Sequence, residues 1–320
     1  AFENEGTPGI DGSSWEKAYT IKTKKQLELL ATRVKNENDE WGSKFYKMIA
    51  DIDLGATNTE VWTPIGGNGF EFNGHFDGGN FTVSGKLIAA VSEEIFGIFG
   101  LSGSDSEIKN LNFSGTMDAT SATSLYNAGG IVGYTKGDII HCSNSGNLTT
   151  VKGMLGGIAG ANEKPCIACS NNGSLQGEDQ VFGISYQAIG CKNTAAGISG
   201  KSYVGGISGF NDVVIACWSS TTTITGTYAG AIIGYAAAGG VLQMATATVN
   251  ELFPKIKGTI TSLVMIASSL CNYTILSAAA NMSATGVLVM NIVITVIGVL
   301  LALLVNARYG KLVEKVNTAK

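Results

Sequence analysis

Apolar residues recur in this chain with two different periods. Leu27, Leu30, Ala31 and Val34 fall on one side of a helix that opens after Thr23, and Thr23 with Gln26 three residues on has the form of a capping box. From Phe45 the spacing changes to alternation, and the stretch FYKMIADIDL up to Leu54 reads as strand. Between Ile95 and Tyr235 one phrase returns six times: IFGIFGL from Ile95, AGGIVGY from Ala128, LGGIAGA from Leu155, VFGISYQ from Val181, VGGISGF from Val204 and AGAIIGY from Ala229. The starts lie 33, 27, 26, 23 and 25 residues apart, a period that belongs to solenoids whose stacked units share one core.

A second phrase follows each of the later copies. Ile-x-Cys occurs at Ile140 to Cys142, Ile167 to Cys169, Ile189 to Cys191 and Ile215 to Cys217, with Leu242 to Met244 in the equivalent place of the last copy. Strict alternation puts the isoleucine and the sulfur on the same face of a strand, which is expected to be the inner one. Short Val-, Ile- and Thr-rich strands broken by Gly, Asn and Ser then form the sides and corners of a parallel β-helix. The 43 glycines fit corners that need positive φ or close backbone approach.

These patterns predict an all-β solenoid with an N-terminal capping α-helix and a C-terminal transmembrane α-helix. Residues 1–44 form the N-terminal segment and cap, 45–250 the β-helix, 251–284 a membrane-proximal stalk or last coil, 285–305 the span and 306–320 a short basic cytoplasmic tail. The helix has a use at the start of a solenoid, because an open end exposes unpaired backbone and apolar side chains. Residues 285–305 are almost wholly apolar and long enough to cross ~30 Å of hydrocarbon. Arg308, Lys311 and Lys315 follow them, which places the tail inside and the solenoid outside. A hairpin of two spans, 259–280 and 285–305, competes with the single span, although the first of these carries many Ser, Thr and Asn residues.

The motif order resembles that of bacterial and protist surface proteins with GLUG-type repeats: a helix, then YKMIADIDL, WTPIG from Trp62, FNGHFDGGNFTVSG from Phe72, then the repeated Gly-Gly-Ile-x-Gly phrase. Similar repeats occur beside the catalytic region of immunoglobulin A1 metalloproteases. The resemblance covers roughly residues 15–245. It implies a right-handed parallel β-helix on an exported, adhesin-like protein, and it carries over no catalytic residue. His-Glu-x-x-His is absent, and the two histidines, His75 and His141, stand in no such context.

Charged residues make up 14% of the chain, with a formal net charge of -4, which provides none of the basic field that nucleic-acid binding requires. Four of the six cysteines share one position of successive coils and are expected to be small, reduced core residues. Cys166 and Cys169 have the form Cys-x-x-Cys but lack a second pair at zinc spacing. Asp51, Asp53 and Asp77 are the carboxylates to weigh for acid–base chemistry, with a calcium site at Asp51 and Asp53 as a lesser reading. Asp77-Gly78 reads as a turn, and no basic partner recurs nearby, so no catalytic, cofactor or metal residue is assigned. Trp62, Phe70, Phe72, Phe76 and Phe81 are expected at the junction of cap and first coils. Trp218 lies on the face opposite Cys217 by alternation and is the candidate surface-binding aromatic. The expectation is a membrane-anchored cell-surface protein, not an enzyme, that contacts a host or neighbouring-cell protein or glycan; an enzyme subdomain and a truncated receptor ectodomain are the rival readings.

Overall fold

Thr23 terminates the extended chain that follows the first strand, and a helix, α1 (Lys24–Asn36), begins behind it. The Thr23 hydroxyl accepts from the Gln26 amide at 3.3 Å, while the Gln26 side chain accepts from the Lys22 amide at 2.8 Å. These two bonds satisfy donors that a helix start leaves open. Leu27, Leu30, Ala31 and Val34 are all buried, in one core cluster with Tyr46, Met48 and Ile52 of the first coils. In the computed structural model the described residues are 1–209, 213–221 and 223–230, all within one compact unit, Ala1–Ala237. The expected stalk, span and tail, and all but the first two residues of the last copy of the repeat, lie outside the described residues. Among the described residues no helix is long and apolar enough to cross a membrane.

Beyond the helix the chain is a parallel β-solenoid. Sheet A stacks one strand from each of eight coils: Tyr19–Ile21, Phe45–Met48, His75–Asp77, Glu107–Lys109, Asp138–Ile140, Cys166–Ile167, Ala188–Ile189 and Val214–Ile215. Its inward register runs Tyr46, Phe76, Ile108, Ile139, Cys166, Ala188, Val214. Successive steps from Phe76 onward are 32, 31, 27, 22 and 26 residues, so the coils shorten from Phe76 to Ala188 as their interior side chains become smaller, and the step to the larger Val214 lengthens again. Sheet B begins with the short strand Ile52–Asp53, continues through two long strands, Thr82–Ile88 and Asn112–Ala119, and from the next coil divides into two arms of shorter strands. Sheet C joins the starts of the repeated phrase, and sheet D the ends of the first three copies.

The glycines of the phrase serve close approach. Gly156, which ends strand Met154–Gly156 shortly before strand Ala159–Asn162, sits so near the Ala159 carbonyl that an added Cβ would collide with it. The isoleucine that follows each pair turns inward: Ile131, Ile158 and Ile207 are fully buried, as is Ile184 in the fourth copy.

Candidate interaction face

Two residues link sheet A to sheet B in each coil from Glu107–Lys109 onward, and the first of them has left-handed backbone. Asn110, His141, Ala168, Gly190 and Ala216 occupy this corner with φ of 51°, 54°, 51°, 64° and 51°. Each amide of the middle three donates to an isoleucine carbonyl of the next coil: His141 to Ile167, Ala168 to Ile189 and Gly190 to Ile215, all at 2.9 Å. The corners therefore repeat because they are hydrogen-bonded to one another.

A left-handed residue breaks two-residue alternation. The residues on either side of it, which an extended strand would point the same way, here point oppositely. Cys142, Cys169 and Cys191 are about 1% exposed and stack inward, with the half-buried Cys217 after them. Their isoleucine partners face out, with Ile167 38% and Ile215 56% exposed and Ile140 and Ile189 partly so. The expectation that Ile and Cys share the inner face is thus corrected: only the sulfur is inside.

The outward register of sheet A reads Lys47, Asp77, Lys109, Ile140, Ile167, Ile189, Ile215. Its first part is charged and internally matched. Lys109 Nζ lies 2.6 Å from Glu107 and 4.1 Å from the centre of the Trp15 ring, and Lys47 donates to the Trp15 carbonyl at 2.7 Å. Its second part is four isoleucines in register, spaced at the ~4.8 Å of parallel strands. Around the corner the neighbouring ladder is Asn112, Ser143, Ser170, Lys192, Trp218. Trp218 is 50% exposed, with Lys192 Nζ 5.1 Å from its ring centre. Ile167, Ala168, Ile215, Ala216 and Trp218 together make an exposed apolar edge, which a monomer surface ordinarily avoids.

The other candidate residues are held in structural roles. Asp51 accepts from the Thr82 amide at 2.7 Å, Asp53 from Gly55 at 2.8 Å, and Asp77 from Gly79 at 2.9 Å and from the Asn110 side chain at 3.0 Å. Asp53 and Asp77 belong to different sheets, and each closes a local turn. His75 is stacked on Phe45 with ring centres 4.2 Å apart, and His141 is a corner residue. Trp62, Phe72 and Phe76 are buried, while Phe70 and Phe81 are partly so; the Trp62 indole donates to the Gly97 carbonyl at 3.1 Å. A hydrogen bond with Cys169 and then burial hold the Cys166 and Cys191 thiols well above the usual range, so both are protonated and unreactive at neutral pH. Among the described residues no group of three or more His, Cys, Asp or Glu is arranged to hold a metal ion.

No family model matches the chain. Its sequence is 30% identical over 103 residues to a protein named "Putative Gly-rich membrane protein" from Evansella cellulosilytica, covering 31% of this chain and 11% of that one. It is 28% identical over 155 residues to Halomucin of Haloquadratum walsbyi, covering 47% of this chain and 2% of the relative. It is also 34% identical over 81 residues to the inner membrane transport protein YdiN of Escherichia coli, covering 24% and 19% of the two chains. The chain therefore spans less than a fifth of each of these relatives. Among solved structures, one titled as a putative immunoglobulin A1 protease from Bacteroides ovatus matches 69% of this chain and 72% of that one, with a TM-score of 0.50 at 22% identity. At that identity the likeness shows the fold alone: both chains wind as parallel β-solenoids.

Proposed function

We propose that this chain is a cell-surface, adhesin-like protein of the GLUG-repeat kind, a right-handed β-helix that works by contact and performs no catalysis. The observation that carries the reading is the outward isoleucine ladder, Ile140, Ile167, Ile189 and Ile215, ending beside Trp218. A solenoid meets no folding requirement by placing its largest aliphatic side chains in water. Their arrangement suits a protein partner with an apolar strip, because a β-branched ladder has neither donors nor acceptors for sugar hydroxyls. The alternating charges of Lys47, Asp77 and Lys109 continue the same line and would set register at the rim of such a contact. Display at a membrane through residues 285–305 is supported by the apolar run in the sequence and by the membrane proteins among its relatives.

The test is a photo-reactive amino acid placed at position 189 of the full chain on intact cells mixed with candidate partner cells. The reading expects cross-linked protein that disappears when Ile167 and Ile215 are both changed to Asp. Cross-linking that persists in that variant, or that captures no protein, would count against it.

A further inference from the structure

Beside the end of the cap helix lies a hollow of about 200 Å³ whose lining includes Lys35, Pro64, Phe70, Glu93 and Glu94. Three segments meet there: the last turn of α1, the tight turn from Gly66 to Phe70, and the loop that precedes Ile95. Gly67 and Phe70 exchange amide–carbonyl bonds at 3.2 and 3.0 Å, which closes the turn. Gly66, at φ +80°, packs where a Cβ would collide with the Leu101 carbonyl, and the Phe70 ring lies within 2.6 Å of where a Cβ on Gly67 would stand. The Asn68 amide donates to the Glu94 carboxylate at 2.6 Å and ties the turn to the loop. The walls of the hollow are thus held by their own hydrogen bonds and close packing.

Two of the lining groups carry opposite charges that do not meet. Among the described residues neither Lys35 nor Glu93 enters an ion pair. Lys35 is exposed and hydrated, so Glu93 is the informative one. It is half-buried, and burial raises its carboxyl above the usual value of 4.5, with Lys35 offsetting this only in part. A carboxylate partly withdrawn from water without a counter-ion is costly, and in a cleft it marks a place for a ligand's charge. A simple amine would satisfy Glu93 but face Lys35, and a simple acid would face Glu93 and Glu94. A molecule carrying both an ammonium and a carboxylate satisfies both sides. Sites for drug-sized ligands run to ~300–1,000 Å³, so this smaller hollow limits the ligand to about one amino acid. Pro64 and Phe70 give it an apolar wall for an aliphatic side chain.

We propose that this hollow binds a free α-amino acid with an apolar side chain, its ammonium on Glu93, its carboxylate on Lys35 and its side chain against Pro64 and Phe70. The test uses the full chain and saturation-transfer NMR titrations with leucine, methionine and valine. Leucinamide, which keeps only the ammonium, and N-acetylleucine, which keeps only the carboxylate, are the comparisons. At least one of the three amino acids is expected to bind at ~1–10 mM. Glu93→Gln should weaken it about tenfold and Lys35→Gln about threefold. Lys25→Gln, on the same helix about 15 Å away, should leave it within about twofold. Glu93→Gln removes a partly buried charge and is expected to melt no lower than the parent, so its loss of binding is not loss of the fold. Should that variant unfold, the exposed Lys35→Gln decides the matter. Binding by none of the three amino acids, leucinamide or N-acetylleucine binding as tightly as leucine, or unchanged binding by Glu93→Gln or Lys35→Gln would overturn the proposal. Glu93→Gln leaves the isoleucine ladder in place and the isoleucine variants leave this hollow in place, so either reading can fail without the other.

Discussion

In the coil that carries Phe76, large apolar side chains point inward while Asp77 points out; in the coil that carries Cys166, a thiol points inward and Ile167 points out. The adjoining ladder of sheet B changes in the same sense, from Ile52, Val83 and Phe113 to Asn144, Asn171 and Asn193. Later coils are therefore less apolar inside and more apolar outside than earlier ones. The early coils are closed by burial, each large ring contributing roughly 2–3 kcal/mol. The later ones rely on hydrogen bonds that run along the solenoid. Asn144 donates to Asn171 at 2.7 Å and Asn171 to Asn193 at 2.8 Å, while each of the first two amides also closes its own turn onto Gly146 or Gly173. A stack held this way has no need of exterior isoleucines, which frees the outer ladder for contact.

The difference can be broken most severely from within the early coils. Phe76→Ala is expected to cost about 3–5 kcal/mol, whereas Cys166→Ala, at the same register position three coils on, costs about 1 kcal/mol; denaturant midpoints of the two variants measure both. Equal losses would show that the interior does not change character along the solenoid. Asn171→Ala should cost about 2 kcal/mol, because it leaves Asn144 a donor and Asn193 an acceptor without their partner in a buried ladder. Differential scanning calorimetry should register it as a large fall in melting temperature, and a negligible shift would remove the amide ladder from the later coils' support.

The cap supplies a pH handle at the early end. Hydrogen bonds from Arg33 at 2.8 and 3.0 Å hold the Glu5 carboxyl below its usual value of 4.5. Since the folded-state value is the lower one, the ion pair stabilises at neutral pH, and this contribution is lost as pH falls below the unfolded value and through the folded one. Glu5→Gln should therefore reduce stability by up to ~1 kcal/mol at pH 7 and by nothing near pH 2. Melting curves across that interval check it, and a deficit that persists in acid would assign the effect to packing. The smallest expected effect is at the corners. Ala168→Gly relieves a left-handed alanine and should stabilise by about 0.5 kcal/mol, the benefit being partly offset by a freer unfolded chain. Gly190→Ala should do the reverse, since open space surrounds its position and only backbone strain opposes a side chain there.

The corner also marks how far the sequence could be read. Repeated glycine phrases at coil spacing, the Leu27 to Val34 stripe and the sulfur ladder were legible because each follows directly from periodicity. Orientation of the isoleucines was not, because alternation assumes extended backbone, and the residue between Ile167 and Cys169 is an alanine at φ 51°. Alanine seldom adopts that conformation, so nothing local announces the turn. Asn80, Asn110 and Gly190 in the same place were the available signal, since Asn and Gly accept left-handed φ most readily.

Inversion of the isoleucine at the corner underlies the whole comparison, and one pair of variants addresses it directly. Ile139 and Ile167 differ in the structure by facing in and out, at 1% and 38% exposure, although alternation from the cysteine would place Ile167 inside. Thermal melting of Ile139→Asp and Ile167→Asp in the full chain should give opposite outcomes. Ile139→Asp buries an unpaired carboxylate and is expected to lose about 4 kcal/mol or to fail to fold, while Ile167→Asp stays within about 0.5 kcal/mol of the parent. Collapse of the Ile167 variant to the same degree as the Ile139 variant would place that ladder in the core and contradict the outward face.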